Sequence, residues 1–270
     1  MDDVDFYLED LRSKFAKIDP EKYCLNYSGG RDSHFLFWFI KEYLKENRIK
    51  IVSVNTMLEH PEIGARMRAN ADVVLLPLMK HKDIKSQFGI PFFTKFQDEM
   101  IKRHQNGLRS KYFMDNVING IYPTKFKLNQ KAKALLLSGK LHKISGDCCK
   151  YLKKQPLINY QKKHNVKPII AMRSAEGIMR KKISTCFHKN GSFTPIHDLT
   201  DDLLKKIEVK YKIPVPPVYQ HITRTGCMGC PYGRHTADEL ALLNPAQRNF
   251  IIDYFKESYQ VKATKLEEPK

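Results

Sequence analysis

The chain has 270 residues, of which 42% are hydrophobic and 28% are charged. This composition excludes an intrinsically disordered chain, and the length allows one large α/β domain or one domain with a small appendage. The acidic start Met-Asp-Asp-Val-Asp argues against a signal peptide, and the densest apolar run, residues 35–40, is too short to span a bilayer. We therefore expect a cytoplasmic protein with no membrane partner.

The charge balance is strongly basic, with 47 Lys and Arg against 29 Asp and Glu, a formal net charge of +18. Such a surplus attracts polyanions through counterion release, so a nucleic-acid partner is one interpretation. A solvated, lysine-rich surface without a specific partner is the other, because net charge alone does not define a site. A nucleotide substrate would be attracted by the same field.

The first elements alternate between helix and strand. Phe6, Leu8, Leu11 and Phe15 lie near helical spacing and predict a helix over 5–17. In chain order, the next segments predict a strand over 23–27, a helix over 33–44, a strand over 51–55, a helix over 61–71 and a strand over 73–76. This order predicts an α/β fold with a doubly wound, mostly parallel sheet, which binds ligands at the carboxyl ends of its strands.

The rest of the chain is more helical. Residues 79–145 predict a basic helical insertion within a nucleotide-binding domain that spans 1–215. Residues 216–270 predict a cysteine-rich C-terminal segment with a frayed tail. Within these ranges we expect a strand over 168–172 and helices over 175–182, 236–243 and 245–254.

A glycine-rich sequence follows the first predicted strand and precedes a helix: Ser28, Gly29, Gly30, Arg31, Asp32 and Ser33. Glycines there can take unusual backbone angles while backbone N–H groups and the helix N-terminus face an anion. A plain turn in which Asp32 or Ser33 caps the helix is the alternative. The sequence resembles the PP-loop, Ser-Gly-Gly-x-Asp-Ser, of ATP pyrophosphatases and sulfonucleotide reductases.

Two further segments resemble the phosphoadenosine-phosphosulfate (PAPS) reductase family. Asn55 and Thr56 follow the second strand and resemble a nucleotide-contacting segment, although Asn55 replaces the family's usual Asp. Arg173, Glu176 and Arg180 resemble the stretch Arg-x-x-Glu-Ser-x-x-Arg, with Gly in place of the Ser. The resemblance implies that Arg173 or Arg180 neutralises phosphate or sulfate oxygens, whereas a simple i,i+4 pair of Glu176 and Arg180 is the structural alternative.

Four cysteines form two pairs, Cys148 with Cys149 and Cys227 with Cys230. Four thiolates suit either zinc or a [4Fe–4S] cluster, and reduced or redox-active thiols are a third possibility. Adjacent cysteines are awkward around one tetrahedral zinc ion, so we favour the cluster. The arrangement resembles that of the iron–sulfur adenylylsulfate (APS) reductases, and the passages over 195–200 and 219–227 resemble the same family.

The remaining two cysteines are interpreted differently. Cys24 lies in the first predicted strand, and we expect it to be a buried small hydrophobe. Cys186, near His188, is either a sulfur-carrying nucleophile or an incidental surface thiol. The resemblance places the catalytic cysteine of true sulfonucleotide reductases in a C-terminal segment, but no cysteine follows Cys230 here.

That departure favours the ATP-using relatives, in which the PP-loop holds pyrophosphate while an acceptor oxygen attacks the α-phosphate. The resemblance implies Asp32, Arg173 and Arg180 as catalytic residues, with Mg²⁺ oriented by Asp32. It also implies sulfur transfer from a possible donor protein, with tRNA or DNA as a possible acceptor. Reduction of APS or PAPS is the first alternative and a non-catalytic nucleotide-binding module the second. The final acceptor and the oligomeric state stay open.

Overall fold

The structure is a computed structural model that describes residues 2–121, 127–176, 185–233 and 236–263. The chain divides into two compact units, each built from two chain segments. The first unit contains residues 1–77 and 155–225, and the second contains residues 78–154 and 226–270.

The strands are β1 (Tyr23–Asn26), β2 (Lys50–Val54), β3 (Val73–Leu75) and β4 (Lys167–Ile169). The α-helices of the first unit are α1 (Asp3–Phe15), α2 (Arg31–Trp38), α3 (Pro61–Asn70), α8 (Gln155–His164) and α9 (Asp201–Lys210). Those of the second unit are α4 (His81–Phe88), α5 (Lys95–Gln105), α6 (Lys111–Phe113), α7 (Gln130–Leu137), α10 (Thr236–Ala241), α11 (Pro245–Tyr254) and α12 (Lys256–Ala263). The predicted helical insertion thus contains α4 to α7.

The four strands form one parallel sheet in the order β3-β2-β1-β4. Leu25 of β1 aligns with Ile51 of β2 on one side and with Ile169 of β4 on the other. Helices connect the parallel strands, as a parallel arrangement requires. The predicted α/β fold with a parallel sheet is confirmed, and β1 lies in the interior of the sheet.

The core of the first unit packs large apolar side chains against both the sheet and α1. Leu8, Leu11 and Phe15 are buried on one face of α1, as predicted. Phe6 was predicted with them, but it is 68% exposed. The helical period explains the error, because Val4 is four residues before Leu8 and takes the buried position instead.

The second unit has its own apolar core around α5, the segment over 113–118 and α7. The buried carboxylate of Asp98 accepts hydrogen bonds from the backbone N–H groups of Phe92 (2.7 Å) and Phe93 (2.9 Å). These bonds fix the chain where it enters α5, since a buried carboxylate needs partners to offset its lost hydration.

Cys24 is buried in β1, as predicted. The helix expected over 175–182 falls mostly outside the described residues, and a single 3₁₀ turn, Ser174–Glu176, is seen at its start. Among the described residues, the helices are all too short or too polar to cross a bilayer.

Candidate functional site

The glycine-rich loop lies where β1 ends and α2 begins, at the carboxyl edge of the sheet. Gly29 has a φ of 71°, in the region that favours glycine. A Cβ atom at Gly29 would lie 2.7 Å from Cγ of Met67, so a larger residue has no room. Gly30 is the N-cap of α2 and provides no side-chain cap, which leaves the first-turn N–H groups to other acceptors. The loop therefore has the backbone geometry of an anion site.

Two serines brace this loop. The hydroxyl oxygens of Ser28 and Ser33 are 3.0 Å apart, and the Ser33 hydroxyl donates to the carbonyl of Gly30 at 3.0 Å. The Ser28 N–H donates to the Ser33 hydroxyl at 3.3 Å. The predicted serines thus lie together and close the loop on itself.

Tyr219 is a loop partner that the sequence did not predict. Its hydroxyl accepts a hydrogen bond from the N–H of Arg31 at 2.8 Å and lies 2.9 Å from the hydroxyl of Thr225. Its passage resembled the family's sequence, but no local signal linked it to a residue 188 positions earlier. The Tyr219 hydroxyl is therefore the acceptor for one backbone N–H group of the loop.

The side chain of Arg31 points to α9 and forms two hydrogen bonds with the carboxylate of Glu208. Nε donates at 2.6 Å and Nη2 at 2.5 Å. Glu208 is buried, and its hydrogen bond is the main reason why the pKa of Arg31 is raised. Because its guanidinium is engaged in this pair, Arg31 contributes to the loop mainly through its backbone.

Asp32 and Arg173, both predicted as catalytic, are in direct contact. Nε of Arg173 lies 2.9 Å from a carboxylate oxygen of Asp32, and Nη1 of Arg173 lies 2.7 Å from Asp201. Burial opposes the charge of Arg173, but the two carboxylates outweigh it and raise the pKa of Arg173. The structure thus brings together one residue of the loop and one of the predicted arginine segment.

The segment after β2 is held by local hydrogen bonds. The Thr56 hydroxyl donates to Glu59 at 2.6 Å, and the side-chain oxygen of Asn55 accepts from the N–H of Met57 at 3.1 Å. Because β1 and β2 are adjacent and parallel, Asn55 and Thr56 lie at the same sheet edge as the loop. Asn55 forms a turn here that an Asp would also form.

The other predicted residues of the first unit are only partly described. Arg180 lies outside the described residues, and Glu176 is described in its backbone alone. Cys186 is half-buried and packs against the apolar core of this unit.

All four paired cysteines belong to the second unit. Their charges influence one another: burial and then Cys227 raise the pKa of Cys230 to about 12. The pKa of Cys149 is lowered to about 6, first by a hydrogen bond from Cys148 and then by nearby lysines, of which Lys95 is one. The two predicted pairs therefore share one neighbourhood.

The Cys227–Cys230 loop is fixed through the peptide groups of Gly229. The N–H of Gly229 donates to the buried carboxylate of Glu239 at 3.0 Å, and the Tyr259 hydroxyl donates to the carbonyl of Gly229. Gly229 has a φ of 58°, and a Cβ there would lie 2.5 Å from Cγ2 of Ile251. Neither Glu239 nor Tyr259 was predicted, because their role arises only from packing.

Tyr254 provides a test of whether a thiolate-bound group fits. Its buried hydroxyl has no hydrogen-bond partner among the described residues. Burial, followed by the charges of all four paired cysteines, raises the pKa of Tyr254. An O–H donor without a partner, set near four thiols, fits a group whose sulfurs accept hydrogen bonds. Within the described ranges, no group of three or more His, Cys, Asp or Glu side chains is arranged around a metal-ion position.

Comparisons with solved structures give distant neighbours. A PAPS reductase from Candida auris, in complex with phosphate, is 11% identical, with a TM-score of 0.43 over 79% of this chain and 83% of that one. The U34-tRNA thiolase NcsA from Methanococcus maripaludis, solved with its [4Fe–4S] cluster, is 10% identical, with a TM-score of 0.41 over 98% and 80%. An NH3-dependent NAD synthetase from Campylobacter jejuni is 16% identical, with a TM-score of 0.38 over 99% and 96%. No protein-family model and no curated protein matches the chain.

The parallel order β3-β2-β1-β4 and the loop between β1 and α2 are features of this chain itself. The chain has an α/β fold with a four-stranded parallel sheet. At these identities, the activities of the three neighbours are not transferred to it.

Proposed function

We propose that this protein is a PP-loop enzyme that uses an adenine nucleotide to activate an acceptor for sulfur transfer, and that the acceptor is a nucleic acid. The observation that carries the proposal is the loop at the sheet edge, with a glycine as the N-cap of α2 and with its paired serines. Such a loop offers backbone N–H groups and hydroxyls to phosphate oxygens.

The proposed reaction has two steps. An oxygen of the acceptor attacks the α-phosphate of ATP, the bond to pyrophosphate breaks, and an adenylated acceptor forms. A sulfur nucleophile from a donor protein then displaces AMP, which leaves with the oxygen. In the first step the loop binds the departing pyrophosphate, and its N–H groups stabilise the charge that develops there.

Asp32 is proposed to orient Mg²⁺ on the phosphates, as a carboxylate oxygen does for this ion. Arg173 is proposed to position the Asp32 carboxylate through its 2.9 Å contact, rather than to reach the phosphates itself. Arg180, Glu176, Asn55 and Thr56 are proposed as further nucleotide contacts.

The four cysteines are proposed as ligands of a [4Fe–4S] cluster, with zinc as the alternative. Support comes from the four thiols in one neighbourhood and from the buried Tyr254 hydroxyl. A cluster bound by four cysteines would supply one-electron redox chemistry. Glu239 and Tyr259 would then hold the Cys227–Cys230 loop in place.

The basic surplus supports a nucleic-acid acceptor. A net charge of +18 exceeds what a small nucleotide requires and suits a partner bound through many phosphates.

Two assays on anaerobically purified protein test the proposal. Exchange of labelled pyrophosphate into ATP, with and without tRNA or DNA, tests adenylation. Release of sulfite from APS or PAPS with thioredoxin would instead support a reductase, and the absence of both activities would support a non-catalytic module. Asp32→Ala is expected to abolish the exchange, whereas Asp83→Ala, an exposed acidic residue of α4, serves as the matched control and retains it. Full exchange in Asp32→Ala would refute the role of Asp32.

A further inference from the structure

A cavity of about 620 Å³ lies in the second unit, between α5, α6 and the loop that joins them. Met100, Phe113 and Val117 are buried and form its apolar floor. This volume is typical of sites for small organic groups and accommodates one nucleobase with its sugar. The cavity belongs to neither the PP-loop nor the Cys227–Cys230 loop.

The rim of this cavity is aromatic and basic. Tyr112 is 69% exposed, so its ring is available to a ligand. Lys95 and Arg103 are both exposed on α5, and Nε of Arg103 lies 3.0 Å from the carboxylate of Glu99. Lys95 has no carboxylate partner in the described part of the chain. An exposed ring beside an available ammonium group is the combination that holds a stacked base and its phosphate.

The basic surface continues beyond the cavity. The guanidinium of Arg109 donates to the backbone carbonyls of His104 (2.5 Å) and Leu108 (3.0 Å), and among the described residues it has no carboxylate partner. Its charge is therefore not neutralised. A free nucleotide that fills the cavity would leave Arg109 without a ligand, whereas a longer strand has further phosphates to place there. The charge pattern thus favours a strand over a mononucleotide.

We propose that this cavity binds one unpaired nucleotide of a nucleic-acid strand, with the base against Tyr112 and Phe113 and the adjoining phosphates at Lys95 and Arg109. This proposal rests on the proposed function, because it assigns a place to the nucleic-acid acceptor.

The test measures binding of single-stranded RNA and DNA of about ten nucleotides by fluorescence anisotropy, without ATP. Tyr112→Ala is expected to weaken binding about tenfold through lost stacking. Its control is Phe6→Ala in the first unit, because Phe6 is equally exposed at 68%. Lys95→Gln is expected to lower the slope of log affinity against log salt by about one, while exposed Lys17→Gln leaves it unchanged.

Each outcome of these binding measurements either supports or overturns the proposed nucleotide site. Loss of binding in Tyr112→Ala and Lys95→Gln but not in the controls supports the site. No strand binding by the wild type, or equal binding by all variants, overturns it. Competition by a mononucleotide at the same affinity as the strand overturns the choice of a strand. Because no assay here needs ATP, failure of this site is separable from failure of pyrophosphate exchange, which tests the proposed function itself.

Discussion

Nε of Arg173 lies 2.9 Å from a carboxylate oxygen of Asp32, and the two side chains are only 7% and 18% exposed. This contact joins the first turn of α2 to a segment that follows β4, 141 positions later in the chain. The Asp32 carboxylate, which we propose to orient Mg²⁺, is thus positioned by the buried guanidinium of Arg173. In this arrangement Arg173 can position the Asp32 carboxylate without contacting a nucleotide itself.

The pair should contribute to stability as a unit. Arg173→Met should reduce the free energy of unfolding by about 3 kcal/mol, since it leaves the Asp32 carboxylate without its cation. Asp32→Asn should cost less, because Arg173 keeps its contact with Asp201 at 2.7 Å. The double variant should lose less than the sum of the two, because the second change removes the charge that the first left unpaired. Urea denaturation of the four proteins measures the coupling, and strictly additive losses would show that the two side chains do not interact.

His34 should make stability depend on pH. Its Nδ1 lies 3.0 Å from the Tyr27 hydroxyl, and burial, followed by the charge of Arg66, lowers the pKa of His34 from 6.5 to about 4. The unfolded chain therefore binds a proton at a higher pH than the folded chain does. Stability is complete above pH 6.5 and falls by about 3 kcal/mol as the pH falls to 4.

His34→Gln retains a hydrogen-bonding side chain but cannot titrate, so it should flatten the dependence of unfolding free energy on pH between 6.5 and 4. A residual slope is expected from His60 and His142, whose pKa values burial also lowers. Thermal melts at several pH values provide the measurement. An unchanged slope in His34→Gln would contradict the assignment.

Gly229 should be essential for metal content. Gly229→Ala places a methyl group 2.5 Å from Cγ2 of Ile251 at a positive φ, which displaces the Cys227–Cys230 loop. We expect the bound iron to fall several-fold. Gly226→Ala is the control, because Gly226 precedes Cys227 but a Cβ there meets no atom within 4 Å. Equal iron content in the two variants would argue against a metal site at this loop.

Tyr254 should tune the proposed cluster. Removing its hydroxyl by Tyr254→Phe deletes an O–H donor near the thiols while keeping the buried ring. Hydrogen bonds to the sulfurs favour the reduced, more negative state, so the variant should have a lower reduction potential at unchanged iron content. A redox titration followed by visible absorbance measures the shift. An unchanged potential would mean that the hydroxyl does not face the sulfurs.

Local sequence patterns were sufficient to predict the glycine-rich loop, but not the distant residues that contact it. Residues 28–33 could be placed because strand, paired glycines and helix are adjacent in the sequence. Glu208 and Tyr219 contact Arg31 from 177 and 188 positions away, and no local pattern specifies such partners. The Asp32–Arg173 contact was missed for the same reason, although both residues were singled out.

For the cysteine site too, the sequence predicted the chemically distinctive residues but not the residues that support them. Thiol chemistry and pairing made Cys148, Cys149, Cys227 and Cys230 recognisable from the sequence. Tertiary packing alone brings three further residues to the cysteines: Glu239, Tyr254 and Tyr259. In the sequence they have no pattern that distinguishes them from other helical residues. Phe6 was misplaced because an apolar residue was assumed to face the core, whereas the helical period places it toward solvent.

The most direct test of the central claim is equilibrium binding of ATP with Mg²⁺ to the wild type, Gly29→Ala and Gly139→Ala, measured by calorimetry alongside thermal melts. Gly29 and Gly139 have nearly equal φ angles, 71° and 69°, but a Cβ meets close atoms only at Gly29. Both variants therefore bear similar backbone strain. If the loop binds the phosphates of ATP, the wild type and Gly139→Ala should bind ATP with similar affinity. Gly29→Ala should lose at least tenfold in affinity, about 1.4 kcal/mol. No ATP binding by the wild type, or equal affinity in a folded Gly29→Ala, would contradict it.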